Sequence, residues 1–409
     1  MKRLVFITNL NVLGGTENNL ISIVSHHLFK NTFQSYLFSG TLPHDAIISR
    51  VENSNAMIML YNNVFGFRIP RIMRGVYFKR QIKNISPDVV VFWNHVSRFR
   101  QLEICRELQI PTVFFERGTG WREHDLQTMK GFLDSVDTVL SNSWAGKRML
   151  AERWDFQGQC EVVPNALRPE IGAEKIVPKK FPEKRPLRLG VASRLVAYKG
   201  VASAVLAMNE LKKQGVEAEL HIAGDGVEAA SLRSLSQKLN VRTFFHGTLE
   251  NMEWFYQHID LLIVPSIREP FGTVTIEAQA WGCPVIASAV DGLPEVIQHN
   301  KTGWVVKPSW DIGKYLGYTA QKKDIPGLVF YPHLDRLDQP FALDPRDIAN
   351  FVLWVVKNKH YYSQLSKNAI NFVQVNFKFN EYLDRIIGLL SSTPTATAQT
   401  PSAIKDYSA

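Results

Sequence analysis

The chain has 409 residues, 45% of them hydrophobic and 21% charged, which is an ordinary globular composition whose length predicts two domains. Its three cysteines, Cys105, Cys160 and Cys283, are widely scattered and offer neither a disulfide framework nor a metal-ligand spacing. The net charge is +9, no apolar run approaches a membrane span, and neither a zinc-ligand pattern nor an RNA-binding aromatic signature is present. The positive charge therefore points to anionic small ligands or an anionic membrane surface, and not to nucleic acid.

The basic start Met1-Lys2-Arg3 precedes only a short apolar run, and Asn9-Leu10-Asn11 follows where a signal-peptide cleavage site would stand. A buried strand over 3–8 fits better, and a cytoplasmic location is expected. Gly14-Gly15, with Thr16 as a cap and a helix over Asn19–Phe29, is a way to bring backbone close to an anion, or simply a tight strand-to-helix turn. The dinucleotide fingerprint is absent, because the later spaced glycines are missing.

Tyr36–Ser39 and Ala56–Leu60 read as short strands. Residues 65–83 mix Arg68, Arg71, Arg74, Lys79, Arg80 and Lys83 with Phe67, Ile72, Met73 and Val76, a basic amphipathic pattern from Pro70 onward. Such a segment either docks on anionic lipid or packs on the sheet with a solvated basic face. Strands then end at Asn94-His95 and at Glu116-Arg117, placing polar side chains at carboxyl ends. Further strands and helices alternate to about Val163, which describes an open parallel sheet.

Residues 171–186 are rich in Pro and Lys and read as a linker between a first domain over 1–170 and a second over 187–375. The second domain repeats the alternation: strand Leu187–Ala192, the loop Ser193–Gly200, strand Glu217–Ile222 with Gly224 just beyond, then strand Leu261–Val264. Residues 309–343 show no period and read as an insertion. A last helix is expected over 376–390, with a disordered Thr/Ser/Pro/Ala tail over 391–409.

After Val264 comes Pro265-Ser266-Ile267-Arg268-Glu269-Pro270-Phe271-Gly272-Thr273, leading into a helix that carries Glu277. Glu269 sits at a strand's carboxyl end, where open α/β sheets bind ligands. Helix-start amides bracketed by two carboxylates suit a polyhydroxylated, phosphorylated ligand, although ordinary surface glutamates would give the same spacing.

Ser193-Arg194-Leu195 with Lys199-Gly200, Ala223-Gly224-Asp225-Gly226, His246-Gly247, Glu269-Pro270-Phe271-Gly272, Glu277-Ala278 and Gly292-Leu293-Pro294-Glu295 occur in that order. The ordered set resembles the retaining glycosyltransferases of family 4, over about residues 1–310 and most specifically over 190–296. The resemblance implies a GT-B architecture: two Rossmann-like doubly wound domains facing across a cleft, with the last helix returning to the first domain. It implies transfer of a hexose-type sugar from a nucleoside diphosphate sugar, UDP-linked by default, without metal or other cofactor. The acceptor would be a glycan or a lipid-linked glycan in bacterial surface polysaccharide or lipopolysaccharide synthesis; the basic stretch 68–83, and not the resemblance, motivates a peripheral position at the inner membrane face.

By the same resemblance, Arg194 and Lys199 hold the diphosphate, Glu277 the ribose, and Glu269 with Pro270-Phe271-Gly272-Thr273 the transferred sugar. Gly14 and Gly15 close over the phosphates, and Gly224 belongs to the donor side. Two departures stand out. Glu116-Arg117 replaces the family's His-Gly pair, leaving His95, Glu116 and Arg117 as acceptor or sugar contacts without a motif to assign them. Asp291-Gly292 stands where Gly-Gly is common. A nucleotide-sugar epimerase or a non-catalytic sugar-nucleotide-binding protein on the same architecture would share most of these residues.

Overall fold

The computed structural model describes residues 1–11, 14–52, 54–64, 67–96, 100–171, 176–322 and 325–393. Its first sheet has seven parallel strands: β1 (Lys2–Thr8), β2 (Phe33–Ser39), β3 (Met57–Leu60), β4 (Val89–Trp93), β5 (Thr112–Glu116), β6 (Thr138–Ser141) and β7 (Cys160–Val162), in the order β3-β2-β1-β4-β5-β6-β7. The second has six parallel strands: β8 (Leu187–Ala192), β9 (Ala218–Ala223), β10 (Thr243–Gly247), β11 (Leu261–Val264), β12 (Val285–Ser288) and β13 (Gly303–Val306), in the order β10-β9-β8-β11-β12-β13. Central strands such as Leu4–Ile7 and Leu261–Ile263 are at most 1% exposed, because helices cover both faces of each sheet and unbroken apolar runs are what such strands require.

In each sheet the order reverses beside the first strand, between β1 and β4 and between β8 and β11. Loops diverge at such a point and open a crevice at the carboxyl ends. The two crevices face each other, and one cleft draws its walls from both.

The expected helix over Asn19–Phe29 is two helices. The first, α1, spans Gly15–Ser25, and a second spans His27–Thr32, with His26 extended between them. Gly14 is the N-cap of α1, so Thr16 lies in the first turn and is not the cap. The basic segment holds a helix α2 (Arg74–Ile85) that buries Phe78, Ile82 and Ile85 and turns Val76 outward, while the 3-10 turn Arg71–Met73 just before it exposes Ile72 and Met73. Residues 65 and 66 lie outside the described residues. So do 172–175 of the linker, whose later part is fastened to the second domain. Lys179 Nζ donates to the carbonyls of Tyr256, Gln257 and Ile259 at 2.6, 3.0 and 2.5 Å, and Arg185 pairs twice with Asp260 at 2.7 Å.

The 309–343 insertion is not structureless. It holds a short helix over Ile312–Leu316 and a hairpin of β14 (Val329–Tyr331) and β15 (Arg336–Asp338). The hairpin leans on the first domain's α3 (Trp144–Trp154), where Phe330 packs with Trp121, Ala145 and Met149. There Arg148 meets Asp335 at 3.1 Å and the Leu337 amide donates to Glu152 at 2.9 Å.

The last helix runs Phe379–Ser392, so Ser391 and Ser392 are helical and not tail; 394–409 lie outside the described residues. Its stripe Phe379, Tyr382, Leu383, Ile386 and Leu390 is buried in the core of the first domain with Leu4, Leu20 and Val24. Among the described residues no helix is long and apolar enough to cross a membrane.

Candidate active site

Two close approaches between loops build the site. Gly200 (φ 69°) lies against the loop after β11, where an added Cβ would fall 1.8 Å from the Pro265 carbonyl oxygen. This contact brings Lys199 beside Glu269, with Nζ to Oε2 at 2.5 Å and each side chain 14% exposed. Gly224 (φ 127°) underlies Ser193 in the same way, since a Cβ there would sit 1.9 Å from the Ser193 carbonyl oxygen. Gly224 thus supports the backbone preceding Arg194, behind the residues that line the cavity.

The cleft holds a cavity of about 410 Å³. Gly14, Gly15 and Thr16 at the start of α1 line one wall, and Gly272, Thr273 and Val274 line the other, at the start of α4 (Thr273–Ala280). Helix N-termini carry free amides and partial positive charge, so two of them on one cavity favour an anion. Gly272 (φ 92°) takes the left-handed turn that starts α4. Five cations (Arg117, Arg122, Arg194, Lys199 and Arg268) and two carboxylates (Glu17 and Glu269) line the cavity among the described residues.

The cations converge on Tyr198. Arg194 donates to its hydroxyl at 2.6 Å, and the Arg268 guanidinium lies 4.2 Å from its ring centroid. Burial alone would raise the Tyr198 pKa, but Lys199, Arg194 and Arg268 outweigh it and hold the hydroxyl below its ordinary value. Glu17 is raised by burial, opposed by hydrogen bonds that include the Gly14 amide (3.1 Å) and by the charges of Arg117 and Arg194.

The other expected residues divide between the cavity wall and the structure behind it. Glu116 is fully buried, and its carboxylate accepts from the amides of Gly118 and of Gly120 (3.0 Å), so it shapes its own loop and is not a substrate contact. Burial pushes its pKa up. Arg117 reaches the cavity but is anchored from behind, 4.5 Å from the Trp93 ring centroid and bonded to Asn165 at 2.6 Å. Its bond to Tyr382 (3.4 Å) joins the last helix to the site floor. His95 is buried and stands off the cavity wall, where its neighbour Asn94 is found instead. Glu277 is 5% exposed and off the wall, accepting from Arg168 at 2.9 and 3.1 Å and from Tyr256 at 2.8 Å. Pro270 and Phe271 line the cavity.

Arg122, Arg268 and Tyr198 were not singled out by the sequence. Arg268 directly precedes Glu269, and Arg122 follows the polar cluster after β5, so position beside a strand end was the available signal. Among the described residues no cluster of three His, Cys, Asp or Glu could hold a metal.

Residues 173–317 match the family model of Glycosyl transferases group 1. An uncharacterized glycosyltransferase of Methanocaldococcus jannaschii is 35% identical over 133 residues, 30% of this chain and 34% of the relative. The amylovoran biosynthesis glycosyltransferase AmsK of Erwinia amylovora is 31% identical over 146 residues, 32% of this chain and 36% of the relative. The chain thus spans about a third of the length of either relative. Anabaena HepE, solved in complex with UDP and glucose, superposes with a TM-score of 0.71 at 15% identity, covering 96% of this chain and 100% of HepE. The fold is two Rossmann-like parallel-sheet domains, as in GT-B glycosyltransferases.

Proposed function

We propose that this protein transfers a hexose-type sugar from a nucleoside diphosphate sugar to a glycan or lipid-linked acceptor, with retention of configuration and without a metal. The observation that carries the reading is the meeting of Arg194 and the Lys199–Glu269 pair between two helix N-termini in one cleft. Cations and free amides suit a diphosphate, and a carboxylate beside them suits sugar hydroxyls.

In this reading the bond between the anomeric carbon and the terminal phosphate oxygen breaks. The acceptor hydroxyl oxygen bonds to that carbon on the same face, and its proton passes to the departing phosphate oxygen. Arg194 and Lys199 offset the charge that develops on the diphosphate. Glu269 and the amides of Phe271, Gly272 and Thr273 hold the sugar, and Gly14-Gly15 close over the phosphates. Glu277 takes the ribose hydroxyls on the oxygen lone pairs left beside its bonds to Arg168 and Tyr256. Glu269 is not assigned as a glycosidase-type nucleophile, because the same-face displacement needs none and the second carboxylate, Glu277, stands off the cavity wall.

The UDP in the HepE complex supports a uridine donor, and the naming of AmsK supports a place in surface polysaccharide synthesis. A peripheral membrane position at the inner face is supported by Phe67, Ile72, Met73 and Val76, which are 80, 90, 56 and 72% exposed among basic residues. The test is to incubate the protein with UDP-sugars and membrane lipid extract, then to analyse product and anomeric configuration. Transfer with retention, unaffected by a chelator, is expected. Conversion of donor without any acceptor would identify an epimerase instead, and UDP-sugar binding with no turnover in any extract would identify a binding protein.

A further inference from the structure

The cleft holds more positive charge than a donor diphosphate uses. Five cations against two carboxylates leave three net positive charges on its walls, and the two ionised phosphates of a nucleoside diphosphate sugar neutralise two of them. The proposed donor site employs Arg194, Lys199 and the helix starts. Arg122 and Arg268 are not used by it.

These two arginines come from opposite sides of the cleft. Arg268 precedes Glu269 in the second domain. Its guanidinium lies over the Tyr198 ring, and its Nε is buried without a hydrogen-bond partner. Arg122 belongs to the loop after β5 of the first domain, where its backbone N–H donates to the Thr119 carbonyl at 3.0 Å. Its guanidinium is in no ion pair among the described residues, and it lines the same cavity as Arg268. Both guanidiniums line the same cavity, one from each domain, and two planar forks on one cavity are suited to a bidentate oxyanion. A point-charge lysine, such as Lys199, offers no such geometry.

We infer that Arg122 and Arg268 form an oxyanion site distinct from the diphosphate site, taking a phosphate or carboxylate carried by the acceptor or by the transferred sugar. The placement suits both sources. Arg122 stands on the first domain, across from the donor loops, and Arg268 adjoins the Glu269 proposed to hold the sugar. The inference rests on the donor reading of the cleft and adds to it that one of the reacting carbohydrates is acidic.

The test uses the full chain and calorimetry. The acceptor arm saturates the protein with UDP and titrates glucose 6-phosphate against glucose. The sugar arm compares UDP-glucuronate with UDP-glucose. A preference of tenfold or more for the charged probe is expected in one arm and identifies the source. Arg122→Gln and Arg268→Gln should each abolish that preference while leaving UDP affinity within threefold of wild type, which also shows that the variants fold. No preference in either arm overturns the inference. So does a loss of UDP affinity in Arg122→Gln as large as in Arg194→Gln, because the arginines would then serve the diphosphate. Failure of the wild-type protein to bind UDP at all would instead remove the donor reading beneath it.

Discussion

Trp121 of the first domain donates its indole N–H to Asp291 of the second at 2.9 Å, with both side chains at most 1% exposed. The same carboxylate accepts from the Glu269 amide and from the Phe330 amide, each at 2.9 Å. One buried group therefore ties together the facing domain, the sugar-side loop and the inserted hairpin. The departure from Gly-Gly at 291–292 and the long insertion belong to a single device, since each supplies a partner the other needs. Four residues on, Glu295 accepts from the Trp144 and Ala145 amides at 2.9 Å, at the N-terminus of α3.

Trp121→Phe removes the cross-domain donor and keeps most of the buried ring. Loss of a hydrogen bond to a charged group costs about 1.5–3 kcal/mol. Since Asp291 also positions the Glu269 amide, turnover should fall while UDP affinity stays close to wild type. Urea unfolding, transfer kinetics and calorimetry check these three outcomes. Unchanged stability and turnover would show that the bond contributes nothing in solution.

The two latch carboxylates give a pH dependence with a definite sign. Burial raises Glu295 from 4.5 to about 7 and Asp291 from 3.8 to about 6. A folded-state pKa above the unfolded one means that the folded state holds more protons in between. Their contribution is fully present below the unfolded values and is lost as pH rises toward about 7 for Glu295 and about 6 for Asp291. His221, lowered from 6.5 to about 4 by burial and then by His258 and His246, runs the other way. The difference between variants is therefore the diagnostic quantity. Glu295→Gln should flatten the fall in Tm between pH 4.5 and about 7 relative to wild type. A curve parallel to wild type would refute the assignment.

Lys199→Ala should weaken UDP binding about tenfold to a hundredfold, the equivalent of about 1.5–3 kcal/mol for a charge-assisted bond. Glu277 needs a milder substitution. Its carboxylate is paired with Arg168 in a largely buried setting, and breaking such a pair from one side destabilises a protein by about 3–5 kcal/mol. Glu277→Ala would thus mix unfolding with lost binding. Glu277→Gln keeps an acceptor for Tyr256 and should weaken UDP, but not inorganic pyrophosphate. Equal loss for both ligands would place Glu277 outside the ribose contact.

The two sheets were legible because strands buried on both faces read as apolar runs, and carboxyl-end polar residues such as Arg194 and Glu269 follow them directly. The hairpin over 329–338 was not. Its strands are three residues each, too short for a period, and Phe330 and Leu337 find their partners in the other domain. Trp121 was hidden for a similar reason, since an indole in a polar loop gives no sign of a buried carboxylate 170 residues away. Glu116 was misplaced because a strand-end carboxylate facing a ligand and one folded back onto its own loop amides share one sequence pattern.

The exposed ridge before and along α2 yields the last prediction. Ile72 at 90% exposure and Phe67 at 80% would be costly to leave in water on a protein with no use for them, and basic residues surround them. Part of that basic charge is already engaged, because Lys79 pairs with Glu107 at 2.6 Å and Arg74 Nε donates to the Ile69 carbonyl at 3.0 Å. Arg68, Arg71 and Arg80 are therefore the residues to change. Each basic residue near an anionic surface contributes about 1 kcal/mol, so replacing all three by Glu should release the protein from vesicles rich in phosphatidylglycerol. Ile72→Ser with Val76→Ser should weaken binding without altering its salt dependence, because only the apolar contact is lost. Flotation at two salt concentrations reads both effects. Wild-type binding that persists in the triple Glu variant would mean that another surface meets the membrane.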